Sequence, residues 1–430
     1  MPRFDAIVVG GGSAGIAFAK QAAEHGAKVA LIERDALGGT CVNRGCVPKK
    51  LMWQTATWRR QGLDMAEVGL TNVPEIDFSV LHKRIKAKID DIRGSHAQSL
   101  KDCNVTLVRA NAKVSEDGTV TVEGEPYAAD KLILATGAKP AELDIEGAEH
   151  TVTSDDLFKW TSLPDSLAVL GGGYIGCEMS SILSALGVKV TLIDPSDRLL
   201  SPFDENLAQL AEANLKRGGV KIAFEIDPTA IKETNGGFEV IASGRPIVTA
   251  ERVLNATGRT PNISAFGAFA ARLDVADSGA LSVDERLMTS IPDVHAVGDL
   301  ADRLPLTPVA TRDGSDLADM LFGDGGTLLD LDRIARAAFV IPPIAEVGDA
   351  VDAGERGARL SDGVCGAEGA EATWVGTGHN DQNMLTGFTL GGEHAAELVS
   401  LAATLIGRNE TILRTAEGIH PSFAEELIGR

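Results

Sequence analysis

Positive charge is what this chain has least of. Its 430 residues carry 40 Lys and Arg against 61 Asp and Glu, a net charge of −21 with a pI near 4.8. That deficit argues against nucleic acid and against anionic membrane surfaces as partners, and says nothing of fold. Long apolar runs are missing as well. No stretch of 18 apolar residues occurs, so no membrane span is expected. The start, Met1 to Asp5, reads as lacking a signal peptide, because Asp5 and the glycines beyond it interrupt the apolar run. Cysteine is scarce: five residues, an odd number that does not suit a secreted disulfide framework. Together these absences predict a protein of the reducing cytoplasm, where a single disulfide would be catalytic and transient. What remains, 44% hydrophobic and 23% charged residues, is a globular composition. The length predicts about three domains.

Glycine carries the first positive signal. Phe4 to Gly10 reads as a buried parallel strand, and Gly10, Gly12 and Gly15 then fit G-x-G-x-x-G at the mouth of an alanine-rich helix. The first glycine makes the tight turn, the second lets backbone approach a pyrophosphate, and the third lets the helix pack on the sheet. The next strand, Ala27 to Glu33, ends in an acid able to bind ribose hydroxyls. The pattern recurs with Ser166 to Gly171 as strand, Gly171, Gly173 and Gly176 as fingerprint, and Val188 to Asp194 as the acid-terminated strand. Each unit closes with Ala-Thr-Gly, at Thr136-Gly137 and again at Thr257-Gly258. Two such units imply two dinucleotides. Between acid and Ala-Thr-Gly, the first holds a cysteine helix and an amphipathic stretch from Val80 to Lys101. The second holds only alternating strands around Lys221 to Ser243. Ser290 to Asp299 reads as a further strand ending in an acid. The last hundred residues mix short strands, around Phe339 and from Met384 to Leu390, with a helix from Glu393 to Ile406.

The chemistry points to Cys41 and Cys46 in Gly38-Gly39-Thr40-Cys41-Val42-Asn43-Arg44-Gly45-Cys46-Val47-Pro48-Lys49-Lys50. Four intervening residues let the two sulfurs meet across one helical turn. Pro48 and the glycine pair punctuate the entry to a helix from Cys46 onward, and a thiol at a helix N-terminus is biased toward thiolate. Cysteines so spaced in a reducing compartment are catalytic or metal-bound more often than structural. A zinc site would need two further ligands, and none clusters nearby, so no metal is expected. Cys103, Cys177 and Cys365 read as ordinary core or surface residues. Near the end, His420 with Glu425 five residues on is a candidate acid–base group with an orienting partner; a satisfied surface histidine is the alternative.

Taken together, residues 38–53, 171–187, Ala256 to Asn262, Ala296 to Asp299, Leu306 to Ala310 and His420 to Glu425 resemble the FAD-dependent pyridine nucleotide–disulfide oxidoreductases, nearest to the glutathione reductase branch. The resemblance runs nearly end to end. It implies an α/β fold of two Rossmann-like domains, for FAD and NAD(P), plus a C-terminal α+β dimerisation domain. The expected boundaries are 1–150 for FAD and the cysteines, 151–264 for NAD(P), 265–330 returning to the FAD domain, and 331–430 for the interface. FAD would contact Gly10, Gly12, Gly15, Glu33, Thr40, Thr136, Gly137, Asp299 and Thr307. The nicotinamide nucleotide would lie on Gly171, Gly173, Gly176, Asp194 and Gly258, with Tyr174 as its lid. Cys46 would face the flavin and Cys41 would attack the substrate disulfide. Glu178 would pair with Lys49 or Lys50. His420, oriented by Glu425, would come from the other subunit of a homodimer and protonate the leaving thiol. Hydride would pass from NAD(P)H through FAD and the Cys41–Cys46 disulfide to a small-molecule disulfide.

The chain departs from that branch at two places. The second unit's strand ends Ile193-Asp194-Pro195-Ser196-Asp197, where arginines for the 2′-phosphate of NADPH are expected; Asp194 favours NADH, with Arg198 four residues on. At the positions that hold glutathione stand Lys20, His96 and Ser315, with Arg312 one turn back able to compensate. The expected substrate is glutathione disulfide or a modified relative such as the amide. A dihydrolipoamide dehydrogenase-type enzyme, and a flavoprotein that has lost disulfide turnover, are the alternatives.

Overall fold

The computed structural model describes residues 2–67, 69, 75–349, 358–361 and 371–414. They fall into two compact units, residues 1–49, 82–141 and 259–329 in one, and 50–81, 142–258 and 330–430 in the other. The fold class is α/β with two Rossmann-like halves and a C-terminal sheet. Among the described residues no helix is long and apolar enough to cross a membrane.

In the first unit, Arg3–Val9 lies between Val29–Glu33 and Glu125–Leu134, with Thr106–Arg109 beyond the former and Val294–Ala296 beside the latter, all parallel. The stretches at its centre, 6–9, 29–32 and 132–134, are continuous apolar runs because both faces of a parallel sheet are covered there. One face packs on the helices Ser13–Glu24 and Thr307–Phe322 through Phe18, Ala22, Leu31 and Leu317. Phe18 is fully buried, worth roughly 2–3 kcal/mol of apolar transfer. The two helices lie backbone to backbone: a Cβ at Gly314 would stand 2.3 Å from the Ala14 carbonyl oxygen.

The second unit repeats the plan. Ser166–Leu170 pairs in parallel with Lys189–Ile193 and Arg252–Asn255, and Lys221–Ala223 extends the sheet. Three antiparallel strands, Ala230–Thr234, Gly237–Ala242 and Arg245–Ala250, form a separate layer. Past residue 330, Arg336–Ala338, Ile344–Gly348, Leu385–Gly391, Glu371–His379 and Ala358–Ser361 make an antiparallel sheet. Helix Ala395–Ala402 covers it through Ala395, Val399 and Ala402.

Four expectations are corrected. The second unit holds more than strands after its acid: Glu205–Arg217 is a helix. Its signals were present in sequence, with Asp204 capping the N–H groups of Asn206 and Leu207, apolar Leu207, Leu210, Ala211 and Leu215 on one face, and Lys216 and Arg217 in the last turn. Asp299 does not end a strand; Val294–Ala296 stops first and Asp299 sits in a single 3₁₀ turn, Gly298–Leu300. The helix expected over 393–406 is shortened to Ala395–Ala402 and a 3₁₀ turn, Ala403–Leu405. Finally, the cysteines do not share one helical turn. Cys41 lies in Gly39–Arg44, Cys46 opens Cys46–Glu67, and Gly45 between them leaves the helical region (φ −148°, ψ −116°).

Candidate active site

The two glycine fingerprints are built alike, atom for atom. Gly10 and Gly171 hold φ of 114° and 106°, a region that favours glycine. A Cβ on either would meet a carbonyl oxygen of the closing strand, Ala135 at 2.3 Å or Ala256 at 2.5 Å. A Cβ on Gly15 or Gly176 would strike the carbonyl oxygen of Gly10 or Gly171, at 2.0 and 1.8 Å. The middle glycines differ: Gly173 has nothing within 4 Å of its would-be Cβ, and Gly12 has only Gly39 Cα at 3.8 Å. That open face is where a pyrophosphate can approach. The helices that follow start without a side-chain cap, so their first N–H groups are available to an anion.

The terminal acids behave as a pair too. Glu33 accepts from Gly11 N–H at 2.6 Å and Asp35 N–H at 2.7 Å; Asp194 accepts from Gly172 N–H at 2.5 Å and Ser196 N–H at 2.7 Å. Each carboxylate is thereby fixed, with lone pairs left for ribose hydroxyls.

The cysteine segment rests on the first fingerprint. Gly38 N–H donates to the Gly11 carbonyl at 2.8 Å, and a Cβ on Gly39 would lie 2.8 Å from Gly12 Cα. Cys46 is exposed and its Sγ lies 3.5 Å from Thr307 Oγ1, at the first turn of the Thr307–Phe322 helix. Both thiols are unlinked here. The hydrogen bond to Cys46, then burial, then the charge of Cys46 push the Cys41 thiol well above its ordinary range, while Thr307 works the other way. Cys177 is buried and its thiol pushed up by that burial, as an unreactive core cysteine should be.

Around this segment the chain gathers more of the expected residues. Thr136 Oγ1 donates to the Asn262 carbonyl at 3.1 Å, and Asn262 N–H donates to the Gly137 carbonyl at 2.8 Å. Arg259, to which sequence reasoning gave no role, joins them: its guanidinium donates to the Ala138 carbonyl at 2.5 Å and to Thr40 Oγ1 at 3.3 Å. Burial raises the Asp299 carboxyl, and the positive charge of Arg259 opposes that rise. The signal was its place directly after the second Ala-Thr-Gly. Two other unforeseen residues are Asn43 and Arg93, joined Oδ1 to Nε at 2.6 Å.

In the second unit Tyr174 opens the helix Tyr174–Ala185 and packs on Phe203, ring centroids 5.1 Å apart. Burial pushes its phenol up to about 12. Phe203 is held from behind by Arg336, which donates to the Pro202 carbonyl and pairs with Glu346. Glu178 is buried, and its Oε1 accepts from Phe339 N–H at 2.8 Å. Lys50 Nζ stands 4.2 Å from the ring centroids of both Trp53 and Phe339, and 3.7 Å from Glu397. Arg198 donates to the carbonyls of Ser201 and Phe203 at 2.7 and 2.6 Å.

Of the expected substrate contacts, Lys20 lies near enough to His96 for its charge to act there. Burial, then the Lys20 charge, hold the His96 imidazole below its usual range. Lys20 lines an open groove of about 750 Å³ whose other charged walls are Glu24, Asp90, Asp91 and Asp102. Arg312 is paired with buried Asp316, Nε to Oδ1 at 2.7 Å. His420 and Glu425 lie outside the described residues. Among those described, no group of His, Cys, Asp and Glu could hold a metal ion.

Residues 4–314 match the model of the pyridine nucleotide-disulphide oxidoreductases, and the chain belongs to that family. Within it, the chain is similar to curated glutathione reductases. It is 34% identical to that of Nostoc sp. (strain PCC 7120), covering 99% of this chain and 98% of that protein. To that of Burkholderia cepacia it is 32% identical, with the same coverage. Among solved structures it resembles RclA from Escherichia coli, described as an HOCl-induced flavoprotein disulfide reductase, with a TM-score of 0.86, 26% identity and 98% of each chain covered.

Proposed function

We propose that this chain is a flavin-dependent disulfide reductase of the glutathione reductase type, drawing on NADH and reducing a low-molecular-weight disulfide. One observation carries the reading: a hydrogen-bonded thiol pair, Cys41 and Cys46, is seated on a dinucleotide fingerprint. FAD fits the first unit on its own features. Gly12 presents an open face, the helix after it starts uncapped, Glu33 is fixed with lone pairs to spare, and Asp299 is held near Arg259. Gly10, Gly12, Gly15, Glu33, Thr40, Thr136, Gly137, Asp299 and Thr307 are the residues we assign to it. Bound there, FAD would supply the two-electron relay between a nicotinamide and a disulfide.

The chain's own steps follow thiol exchange. The Cys41 sulfur, once deprotonated, attacks one sulfur of the substrate, breaking its S–S bond and releasing one thiolate. Cys46 then attacks Cys41, closing the Cys41–Cys46 bond and releasing the second thiol. Two electrons leave the dithiol and two substrate thiols form. The attacking species is the thiolate, so the Cys41 thiol needs a base to take its proton, and the leaving thiolate needs that proton back. We assign both tasks to His420 of a second copy, oriented by Glu425, which makes the active form a homodimer. Glu178, fixed by Phe339, is assigned as the carboxylate of a lysine pair, and Tyr174 as the nicotinamide lid.

For the nucleotide, Asp194 supports NADH, because a fixed carboxylate accepts from two ribose hydroxyls and repels a 2′-phosphate. Arg198, already donating to two carbonyls, offers that phosphate little. For the disulfide, the acidic walls around Lys20 and the Arg312–Asp316 pair support a substrate with fewer carboxylates than glutathione disulfide, such as its amide. Initial rates with NADH and NADPH against glutathione disulfide, its bis-amide and lipoamide test the reading. We expect NADH-dependent turnover with the glutathione-type acceptors. Turnover with lipoamide alone would turn the assignment to a dihydrolipoamide dehydrogenase-type enzyme, and none with any acceptor, in flavin-loaded protein, would overturn it.

A further inference from the structure

We infer that Asn43 and Arg93 form a clamp that positions the Cys41 side of the redox pair and sets how firmly its disulfide is held. The inference rests on the thiol chemistry proposed above and adds two positioning residues to it. The segment needs such support. The helix Gly39–Arg44 has six residues, starts at left-handed Gly38 and Gly39, and has no side-chain cap. A helix that short is not stable by itself. It is cut from the next helix at Gly45, where a Cβ would lie 2.9 Å from the Thr40 carbonyl oxygen. The two cysteines thus stand on separate helical segments, the first of them only six residues long.

Asn43, between the cysteines, supplies what is missing. Its Nδ2 donates to the carbonyls of Gly39 at 2.8 Å and of Ala36 and Leu37 at 3.2 Å each, drawing the entry loop against the helix. Its Oδ1 accepts from Arg93 Nε at 2.6 Å. Arg93 stands on Phe78–Asp102, fifty residues away in sequence, and its Nη1 is itself set by Asp90 Oδ1 at 2.9 Å. The amide is thus tied at both ends, to its own loop and to an independent helix. A charge-assisted bond of this kind is among the stronger ones available. The tie confines the Cys41 turn, and confinement raises the effective concentration of one thiol at the other. That favours the closed disulfide.

The test equilibrates flavin-loaded protein with dithiothreitol in its reduced and oxidised forms, then alkylates and counts labels at Cys41 and Cys46 by mass. Two protein thiols give two electrons and two protons to the oxidised reagent as one protein S–S bond forms and the reagent's S–S bond opens. We expect Asn43→Ala and Arg93→Ala each to lower the constant for disulfide formation about tenfold, a rise of about 30 mV in potential. The double variant should add little to Asn43→Ala, since that substitution already removes the bond Arg93 makes. Arg93→Lys, which can still donate to Asn43, should recover most of the change. Arg93 sits on a helix remote from the turn, so this pair keeps the test valid where Asn43→Ala fails to fold. An unchanged potential in Arg93→Ala, or the same shift in Arg93→Lys, would overturn the clamp. If the unsubstituted protein forms no Cys41–Cys46 disulfide at any ratio, the proposed function fails and the clamp with it.

Discussion

Gly172 donates its backbone N–H to Asp194 Oδ2 at 2.5 Å, while Gly11 makes the same bond to Glu33. The second carboxylate is thus as firmly placed as the first, and the proposed preference for NADH is assigned to it. Asp194→Ala should raise KM for NADH by about 10- to 100-fold, the range for a lost bond to a charged group. KM for NADPH should change less. Since Asp194 also holds its loop, thermal stability is measured alongside; equal losses for both nucleotides would refute the assignment.

The fingerprint glycines divide into two kinds by the space beside them. Gly15→Ala would place a methyl 2.0 Å from the Gly10 carbonyl oxygen, and the helix cannot yield without leaving the sheet. Poor folding, or a melting temperature lowered by several degrees, is expected. Gly12→Ala meets only Gly39 Cα at 3.8 Å and should fold normally, yet purify with little flavin because the methyl fills the open face. Flavin absorbance per mole of protein, with melting curves for each variant, checks both.

Tyr174 should resist ionisation. The chain has two tyrosines, so Tyr127→Phe leaves Tyr174 as the sole phenol. Burial pushes it to about 12, so phenolate absorbance should stay absent while an exposed tyrosine titrates near its usual value of about 10. A folded variant titrating at that ordinary value would contradict the packing of Tyr174 on Phe203.

His295 gives the fold an acid-sensitive point. Its Nδ1 donates to the Arg286 carbonyl at 3.1 Å and its Nε2 is buried without a partner. Burial lowers its pKa; the Arg286 bond and the charges of Asp284 and Asp293 oppose this, and Lys131 adds to it. A histidine depressed in the folded state contributes stability that is present above its unfolded pKa of about 6.5 and lost as pH falls through the folded value. The buried carboxyls Asp299, Asp313, Asp316 and Glu346 are raised and act in the opposite sense, so the comparison must be between variants. Melting temperature should fall more for the unsubstituted protein than for His295→Asn between about pH 7 and pH 5. Parallel curves would exclude the role.

Much of this was legible in the sequence, because the features concerned are local. Glycine at Gly10 and Gly15, and an acid at a strand end, are demanded by contacts a short segment makes with itself and its nearest strands. The cysteine pair was legible for the same reason, but its backbone was not: the break at Gly45 depends on the Thr40 carbonyl beside it, which spacing does not reveal. Arg93 could not be found, since its role comes from the meeting of two helices fifty residues apart. Arg259 was within reach, directly after Gly258. Arg312 was read as able to compensate for a missing substrate cation, and its i,i+4 partner Asp316 was legible beside it.

The central claim is that electrons reach a substrate disulfide by way of Cys41 and Cys46. Its most direct measurement is anaerobic addition of one equivalent of NADH to flavin-loaded protein in its disulfide form, followed by alkylation and peptide mapping. We predict two new labels, at Cys41 and Cys46, both erased when glutathione disulfide or its amide is added before the alkylating agent. Labels that do not depend on NADH, or that survive the added disulfide, would contradict it.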